Sequence, residues 1–301
     1  MKVLISGATG LVGEALSSSL RRDGHQVARL LRPGGEMRVG DVHWDPQGGT
    51  FDAAAAEAAD AVVHLAGASI AGGRWNDARK EILRSSRVEA TQHLVAALAK
   101  LKRPPKTLVS ASAIGYYGNR GEELLTEESP PGNDFLSQLA REWETEAARA
   151  EQSHVRTVIL RFGVILAAHG GALAKMLTPF KLGAGGKIGT GKQWMSWLTL
   201  GEAVEMVRYA LDTASLRGTL NAVSPTPVRN VEFTRALAQA VHRPAIFPLP
   251  AFVARAAFGE MADALLLASQ RVIPRRLQEA GYRFRAPELD GALQEVLKRT
   301  G

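Results

Sequence analysis

Residues 6–13 read Ser-Gly-Ala-Thr-Gly-Leu-Val-Gly, and no other stretch of the chain restricts the fold as strongly. They follow Lys2-Val3-Leu4-Ile5-Ser6, an apolar run with the length of a buried parallel strand. They open a segment, 12–22, in which Val12, Ala15, Leu16 and Leu20 share one helical face. Gly24 stands where such a helix ends in a left-handed residue. Gly7, Gly10 and Gly13 therefore occupy a strand–turn–helix. Gly7 suits the sharp turn, Gly10 the close approach of a phosphate to the backbone, and Gly13 the tight packing of helix on strand. The free N–H groups and dipole at a helix start complement a pyrophosphate. The expectation is a dinucleotide site built from Gly7, Thr9, Gly10, Leu11, Val12 and Gly13. The alternative is a glycine-rich turn that holds no ligand.

The same alternation continues. Strands are predicted at 26–31, 41–44, 60–65, 107–111 and 155–160, with helices at about 78–101 and 135–151 between them. Right-handed βαβ units of this kind make an α/β, Rossmann-like doubly wound parallel sheet. The pattern changes after about residue 165. Residues 170–192 are glycine-rich, and Pro225, Pro227, Pro244, Pro248 and Pro250 follow. The expected division is a nucleotide-binding domain over 1–165, whose sheet can receive further elements from 195–225, and a smaller, mostly helical substrate region over 166–301.

Composition removes several classes of function. The 301 residues include no cysteine, so disulfides, thiolate catalysis and zinc–thiolate sites are excluded. The seven histidines are scattered without the spacing of a helical metal site, and no metal is expected. The net charge is +7, but the basic residues are spread out and are not interleaved with aromatic residues. That pattern reads as a solvated basic surface rather than a nucleic-acid platform. No 18-residue apolar window suggests a membrane span, and the first residues do not form a signal peptide, so a cytoplasmic protein is expected. The oligomeric state is not readable from the sequence.

The end of the second strand selects the cofactor. It reads Leu30-Leu31-Arg32-Pro33, without the acid that would hold an NAD ribose. Arg32 offers a guanidinium to a 2′-phosphate, which points to NADP(H), with NAD(H) as second choice. Arg32 also fits a plain surface arginine. His64-Leu65-Ala66-Gly67 closes the strand at 60–65 with small residues suited to run beside the adenosine half, and His64 itself reads as structural. Residues 186–192 imitate a P-loop, but Gln193 follows Lys192 where a Ser or Thr hydroxyl would be needed. A mobile loop beside the substrate is the better reading. Lys192, Gln193, Trp194 and Trp197 are candidates to line the substrate site, although Trp197 fits a core position equally well. Arg74 and Arg87 suit phosphate contacts, and helix-surface salt bridges explain them nearly as well. Glu122, Glu123, Glu127 and Glu128 read as a solvated acidic face.

Taken together, these segments resemble the extended short-chain dehydrogenase/reductases of the NAD-dependent epimerase/dehydratase superfamily. Ser110-Ala111-Ser112-Ala113-Ile114-Gly115-Tyr116-Tyr117-Gly118 looks like the strand and loop that carry the catalytic Ser or Thr. Leu160-Arg161-Phe162-Gly163 resembles the segment that passes the nicotinamide. Arg74-Trp75, Ser86-Arg87-Val88, Gln193-Trp194-Met195-Ser196-Trp197 and the stretch from Pro248 are similar to an atypical "epimerase family" subgroup with a C-terminal domain of unknown function. The resemblance implies that Ser110, Ala111, Phe162 and Gly163 contact the cofactor. It also implies a small-molecule substrate, with a sugar nucleotide as the class the family suggests. One departure stands out. The helix that should carry Tyr-x-x-x-Lys reads Phe135-Leu136-Ser137-Gln138-Leu139-Ala140-Arg141-Glu142. Two functions follow. One is an oxidoreductase or epimerase with a rebuilt site that uses hydroxyls of Ser112, Tyr116 or Tyr117. The other is a sensor or scaffold that binds NADP(H) without turnover.

Overall fold

A computed structural model describes residues 1–298. Short apolar runs and amphipathic segments alternate through its first half. In chain order they form β1 (Lys2–Ser6), α1 (Leu11–Arg22), β2 (Gln26–Leu31), β3 (Val42–His43), α2 (Ala53–Ala56) and β4 (Ala61–His64). Next come α3 (Asp77–Arg84), α4 (Ala90–Ala99), β5 (Thr107–Ala113), β6 (Leu124–Leu125), α5 (Phe135–Ala148), β7 (Arg156–Phe162) and β8 (Val164–Ala167). The second half adds α6 (Gly171–Lys181), β9 (Trp194–Met195), β10 (Trp197–Thr199), α7 (Leu200–Asp212), β11 (Gly218–Ala222) and β12 (Val228–Arg229). It closes with α8 (Asn230–Ala240), α9 (Ala251–Phe258), β13 (Arg271–Val272), α10 (Arg275–Glu279) and α11 (Leu289–Lys298).

Seven strands form one sheet in the order β11-β7-β5-β4-β1-β2-β3. β1 runs parallel to both β2 and β4, β2 to β3, and β4 to β5. This is the Rossmann-like α/β fold. The chain leaves β1 toward β2 and β3, then returns to build the other side from β4 outward. The carboxyl ends of β1 and β4 thus mark the switch point, where open α/β sheets bind ligands.

The predicted helix over 78–101 is interrupted. A π-helical turn at Ser85–Glu89 separates α3 from α4 and brings Arg87 and Val88 both to the buried side. Such single turns recur at functional sites. The predicted helix at 135–151 ends as α5 at Ala148 and tightens into a 3₁₀ turn at Arg149–Ser153. None of the described helices is long and apolar enough to cross a membrane.

The chain forms two compact units. The first comprises Met1–Ser112, Leu139–Leu160 and Val204–Thr219. Its core joins Leu4, Leu30, Val62, Leu94, Leu98 and Leu108. Arg156 ties this unit together: its guanidinium donates to the carbonyls of Ala210, Leu211, Thr213 and Leu216, and to the Thr107 hydroxyl. The second unit comprises Ala113–Gln138, Arg161–Ala203 and the chain from Leu220 onward. Leu166, Leu173, Trp197, Phe233, Leu237 and Leu293 form its main core. Three small sheets belong to it: β10 with β8, β12 with β9, and β13 with β6. The stretch expected to be a mobile loop is pinned within this unit. Ile188 bridges Leu249, and Gly189 N–H donates to the Leu249 carbonyl at 2.8 Å.

Candidate functional site

The turn after β1 is shaped by the absence of side chains. Gly7 has φ of +67°, and a Cβ there would lie 2.8 Å from the Leu65 carbonyl carbon. A Cβ on Gly13 would lie 2.2 Å from the Gly7 oxygen. Gly10 is the extended residue before α1, and no side chain caps the helix. The first α1 hydrogen bond runs from Glu14 N–H to the Gly10 carbonyl at 2.9 Å. The N–H groups of Leu11, Val12 and Gly13 therefore precede the helical ladder, and Thr9 and Gly10 are exposed. This is a cradle for an anion: backbone donors, the positive end of a 12-residue helix, and no β-carbon in the way. A dinucleotide pyrophosphate fits it.

Beneath the turn lies a chain of buried hydrogen bonds. The Thr91 hydroxyl donates to the Arg87 carbonyl at 2.5 Å, so its oxygen accepts from His64 Nε2–H at 2.9 Å. His64 Nδ1 then accepts from the Ser6 hydroxyl at 2.6 Å. The Ser6 oxygen in turn accepts the N–H groups of Leu65 and Ala66 at 3.1 and 3.3 Å. Burial pushes His64 down to about 4, which keeps it neutral. His64 thus holds the β4 end in register with β1. Leu65 and Ala66 are half-buried, and Gly67 is exposed.

At the end of β2 the two arginines differ. Arg29 is engaged by Asp41, with guanidinium–carboxylate contacts down to 2.5 Å. Burial works to raise Asp41, but hydrogen bonds from Arg29 and from Arg38 N–H outweigh it and hold the carboxyl below its ordinary range. Arg32 lies just past the strand and is exposed.

The end of β5 is more committed than its sequence suggests. Ser110 is buried, and its hydroxyl turns to the Ala111 carbonyl. Ser112 is buried and donates to Glu144 Oε1 at 2.6 Å. In the second unit, the fully buried Tyr117 donates to Asn221 Oδ1 at 2.7 Å and accepts from Arg161 Nη1 at 2.9 Å. Burial pushes the Tyr117 phenol up to about 12, against the opposing pull of Arg161. Tyr116 is half-buried, and the Arg161 guanidinium sits 3.4 Å from its ring centre. The two tyrosine rings meet edge to face at 5.3 Å. Gly163 follows the half-buried Phe162, and a Cβ there would lie 2.6 Å from the Ser196 oxygen.

Residues 3–222 match the NAD dependent epimerase/dehydratase family. The chain belongs to that family. Residues 249–296 also match a domain of unknown function, DUF1731. "Epimerase family protein Mb2239" of Mycobacterium bovis is 42% identical over 299 residues, covering 99% of this chain and 98% of the relative. The Bacillus subtilis epimerase family protein YfhF is 38% identical, with 99% and 98% covered. The crystal structure of the human epimerase family protein SDR39U1 with NADPH superimposes with a TM-score of 0.91 at 37% identity, covering 99% of both chains.

The four residues expected to line the substrate site differ in burial and in the partners they meet. Lys192 is exposed. Gln193 is buried, and its amide donates to the carbonyls of Ile188 and Leu266. Trp197 is fully buried and donates to the Thr226 carbonyl at 3.0 Å. Trp194 is half-buried between the guanidinium groups of Arg229 and Arg271, each 4.6 Å from its ring, and its N–H donates to Glu122. Three partners escaped the sequence reading: Glu144 behind Ser112, Arg161 against both tyrosines, and Asn221 on Tyr117. Only Arg161 left a trace, as a charged residue between the apolar run Val158-Ile159-Leu160 and Phe162 in β7.

Proposed function

We propose that this chain is an atypical, NADP(H)-binding short-chain dehydrogenase/reductase-like protein that acts as a reductase or epimerase on a small molecule in the cytoplasm. The observation that carries the reading is the turn at Gly7–Gly13, where three glycines carry no β-carbon and the N–H groups of Leu11, Val12 and Gly13 precede the helical ladder. The NADPH in the human relative's crystal structure supports the same cofactor here. Leu65, Ala66 and Gly67 would flank the adenosine half, Ser110 and Ala111 the dinucleotide's middle, and Phe162 and Gly163 the nicotinamide end. Arg32, exposed past β2, would pair with the 2′-phosphate. Functionally, 1–165 would carry the cofactor and 166–301 would shape the substrate side, with Lys192 and Trp194 nearer to solvent than Gln193 and Trp197. NAD(H) is the second choice of cofactor, and a sugar nucleotide is the substrate class that the family's name suggests.

When bound, the nicotinamide supplies hydride transfer. The protein must supply a proton partner. Ser112, Tyr116 and Tyr117 are the proposed hydroxyls, and they are unequal. Tyr116 is the most accessible, and Arg161 stacked on its ring fixes its orientation. Tyr117, raised to about 12 and bonded on both sides, would position Arg161 rather than move a proton at neutral pH. Ser112 would need its bond to Glu144 to turn. Those commitments also favour a second reading, a sensor or scaffold that binds NADP(H) without turnover. Fluorescence titration with NADPH and NADH tests the binding. Tight NADPH and weak NADH binding is expected, and binding of neither removes both readings. Consumption of NADPH with carbonyl or sugar-nucleotide substrates separates the enzyme from the sensor.

A further inference from the structure

The segment 246–265 keeps its apolar side chains in water. Six of the twelve large hydrophobic residues exposed among the described residues fall in it, and the other six are spread over 1–182. Phe252 is 72% exposed, Ile246 70% and Phe247 60%, and Val253, Phe258 and Leu265 are each exposed by more than a third. Phe252, Val253 and Phe258 belong to α9, which reads Ala-Phe-Val-Ala-Arg-Ala-Ala-Phe. This helix has one polar residue, Arg255, and buries only Ala254. A helix that is apolar on every side is ordinarily covered on every side.

The backbone beneath these side chains is pinned. Phe247 N–H donates to the Gly185 carbonyl at 3.1 Å, and Leu249 N–H to the Lys187 carbonyl at 2.9 Å. Gly259, with φ of +62°, ends α9. The Arg255–Asp263 ion pair at 2.9 Å then ties the helix to a π turn at Ala262–Leu266, which carries Leu265. The apolar groups are thus set in advance, and little ordering cost opposes a partner. With an aromatic side chain at roughly 200 Å², the six residues expose on the order of 600 Å². A dimer contact of standard size takes about 800 Å² from each copy, about 65% of it apolar, so this face is large enough to hold one.

We infer that α9 and its flanking residues form an interface between two copies of this chain related by a two-fold axis. Charge favours a second copy as the occupant. The chain carries +7, so two copies repel over most of their surface. Between 244 and 266 the charged residues are Arg255, Glu260 and Asp263, one base and two acids. Repulsion is weakest at such a face. A two-fold contact places the same patch on both sides, so Arg255 of each copy can meet the acids of the other. A membrane surface would call for a basic rim, which this segment lacks. The inference goes beyond the function proposed above and does not depend on it.

The test is sedimentation velocity on the full chain over a range of concentrations. The expected result is a reversible dimer. Phe252→Glu places a charge at the centre of the contact and should raise the dissociation constant at least about thirtyfold. Phe252→Ala keeps helix propensity and covers the case in which the charge disturbs α9; it should raise the constant about tenfold. NADPH affinity should be unchanged in both variants. Three results overturn the inference. One is a wild-type chain that stays monomeric at about 0.1 mM. Another is a dimer that both substitutions leave intact, because the copies then meet through a different face. The third is a monomer that sediments with phosphatidylcholine vesicles and loses them on Phe252→Glu, which gives the face to a lipid surface.

Discussion

The turn at the end of β1 offers mainly backbone, whereas the turn after β5 offers side chains. At Gly7–Gly13 the determinants belong to the backbone: a left-handed residue, a close helix–strand contact and donors left over at a helix start. At Ile114–Tyr117 the phenols are already engaged, one by Arg161 and Asn221 and the other by the face of the same guanidinium. A site made of backbone is complete when the chain folds locally. A site made of side chains depends on partners that arrive from remote segments, and its chemistry is set by what those partners leave free.

The contrast can be broken in several ways. Gly10→Val should have the largest effect on function. Residue 10 is extended and exposed, and an added Cβ would press only on the Gly7 oxygen at 3.2 Å, a small strain, while the added bulk occupies the anion's place. NADPH affinity should fall on the order of 100-fold with little change in thermal stability; normal affinity would remove the cradle assignment. Next is the pH dependence of stability. His64 is lowered from 6.5 to about 4, so the unfolded chain binds the extra proton first. Its stabilising contribution is intact above pH 6.5 and is lost as pH falls toward 4, by roughly 3 kcal/mol at most. Denaturant melts of wild type and His64→Gln across that window should diverge; parallel curves would show that His64 titrates normally.

Tyr117→Phe should cost about 1–3 kcal/mol, because it strands one donor on Arg161 and one acceptor on Asn221. NADPH affinity should not change, and a large loss of cofactor with full stability would reverse the positioning role. Arg32→Ala should weaken NADPH about tenfold and leave NADH alone; equal losses would assign Arg32 to something other than the 2′-phosphate. The smallest structural effect belongs to Tyr116→Phe, which removes one oxygen from a half-buried ring. If the protein turns over, this variant should lose most of its rate while its melting temperature stays within about a degree or two of wild type. Full activity would pass the proton role to Ser112.

The first regions of the fold were legible because their determinants are local. β1, α1 and β2 follow from apolar runs and glycine spacing within 31 residues. The helix expected over 78–101 illustrates the limit. A π turn has no sequence signature of its own, and the sequence leaves Arg87 between a phosphate contact and a helix-surface salt bridge, whereas the extra residue of the π turn brings it to the buried side. The same holds for Ser112, whose partner Glu144 lies 32 residues away, and for Tyr117, whose partner Asn221 lies 104 residues away. Gln193 and Trp197 stand in a polar, glycine-flanked stretch that resembles a loop. The carbonyls that capture their side chains belong to 188, 226 and 266. Periodicity reports which face of an element is apolar, but it carries no record of which distant polar group will meet it.

The guanidinium of Arg156 has a practical consequence for dissecting the protein genetically. Four of its five acceptors are carbonyls between residues 210 and 216, beyond any stop codon placed at the apparent end of the nucleotide-binding half. A gene fragment ending at 165 would therefore encode a β7 strand carrying a cation that keeps the Thr107 hydroxyl but lacks its four carbonyl acceptors. Complementation by a separately expressed C-terminal fragment, rather than autonomous folding of the N-terminal one, is the behaviour this wiring dictates.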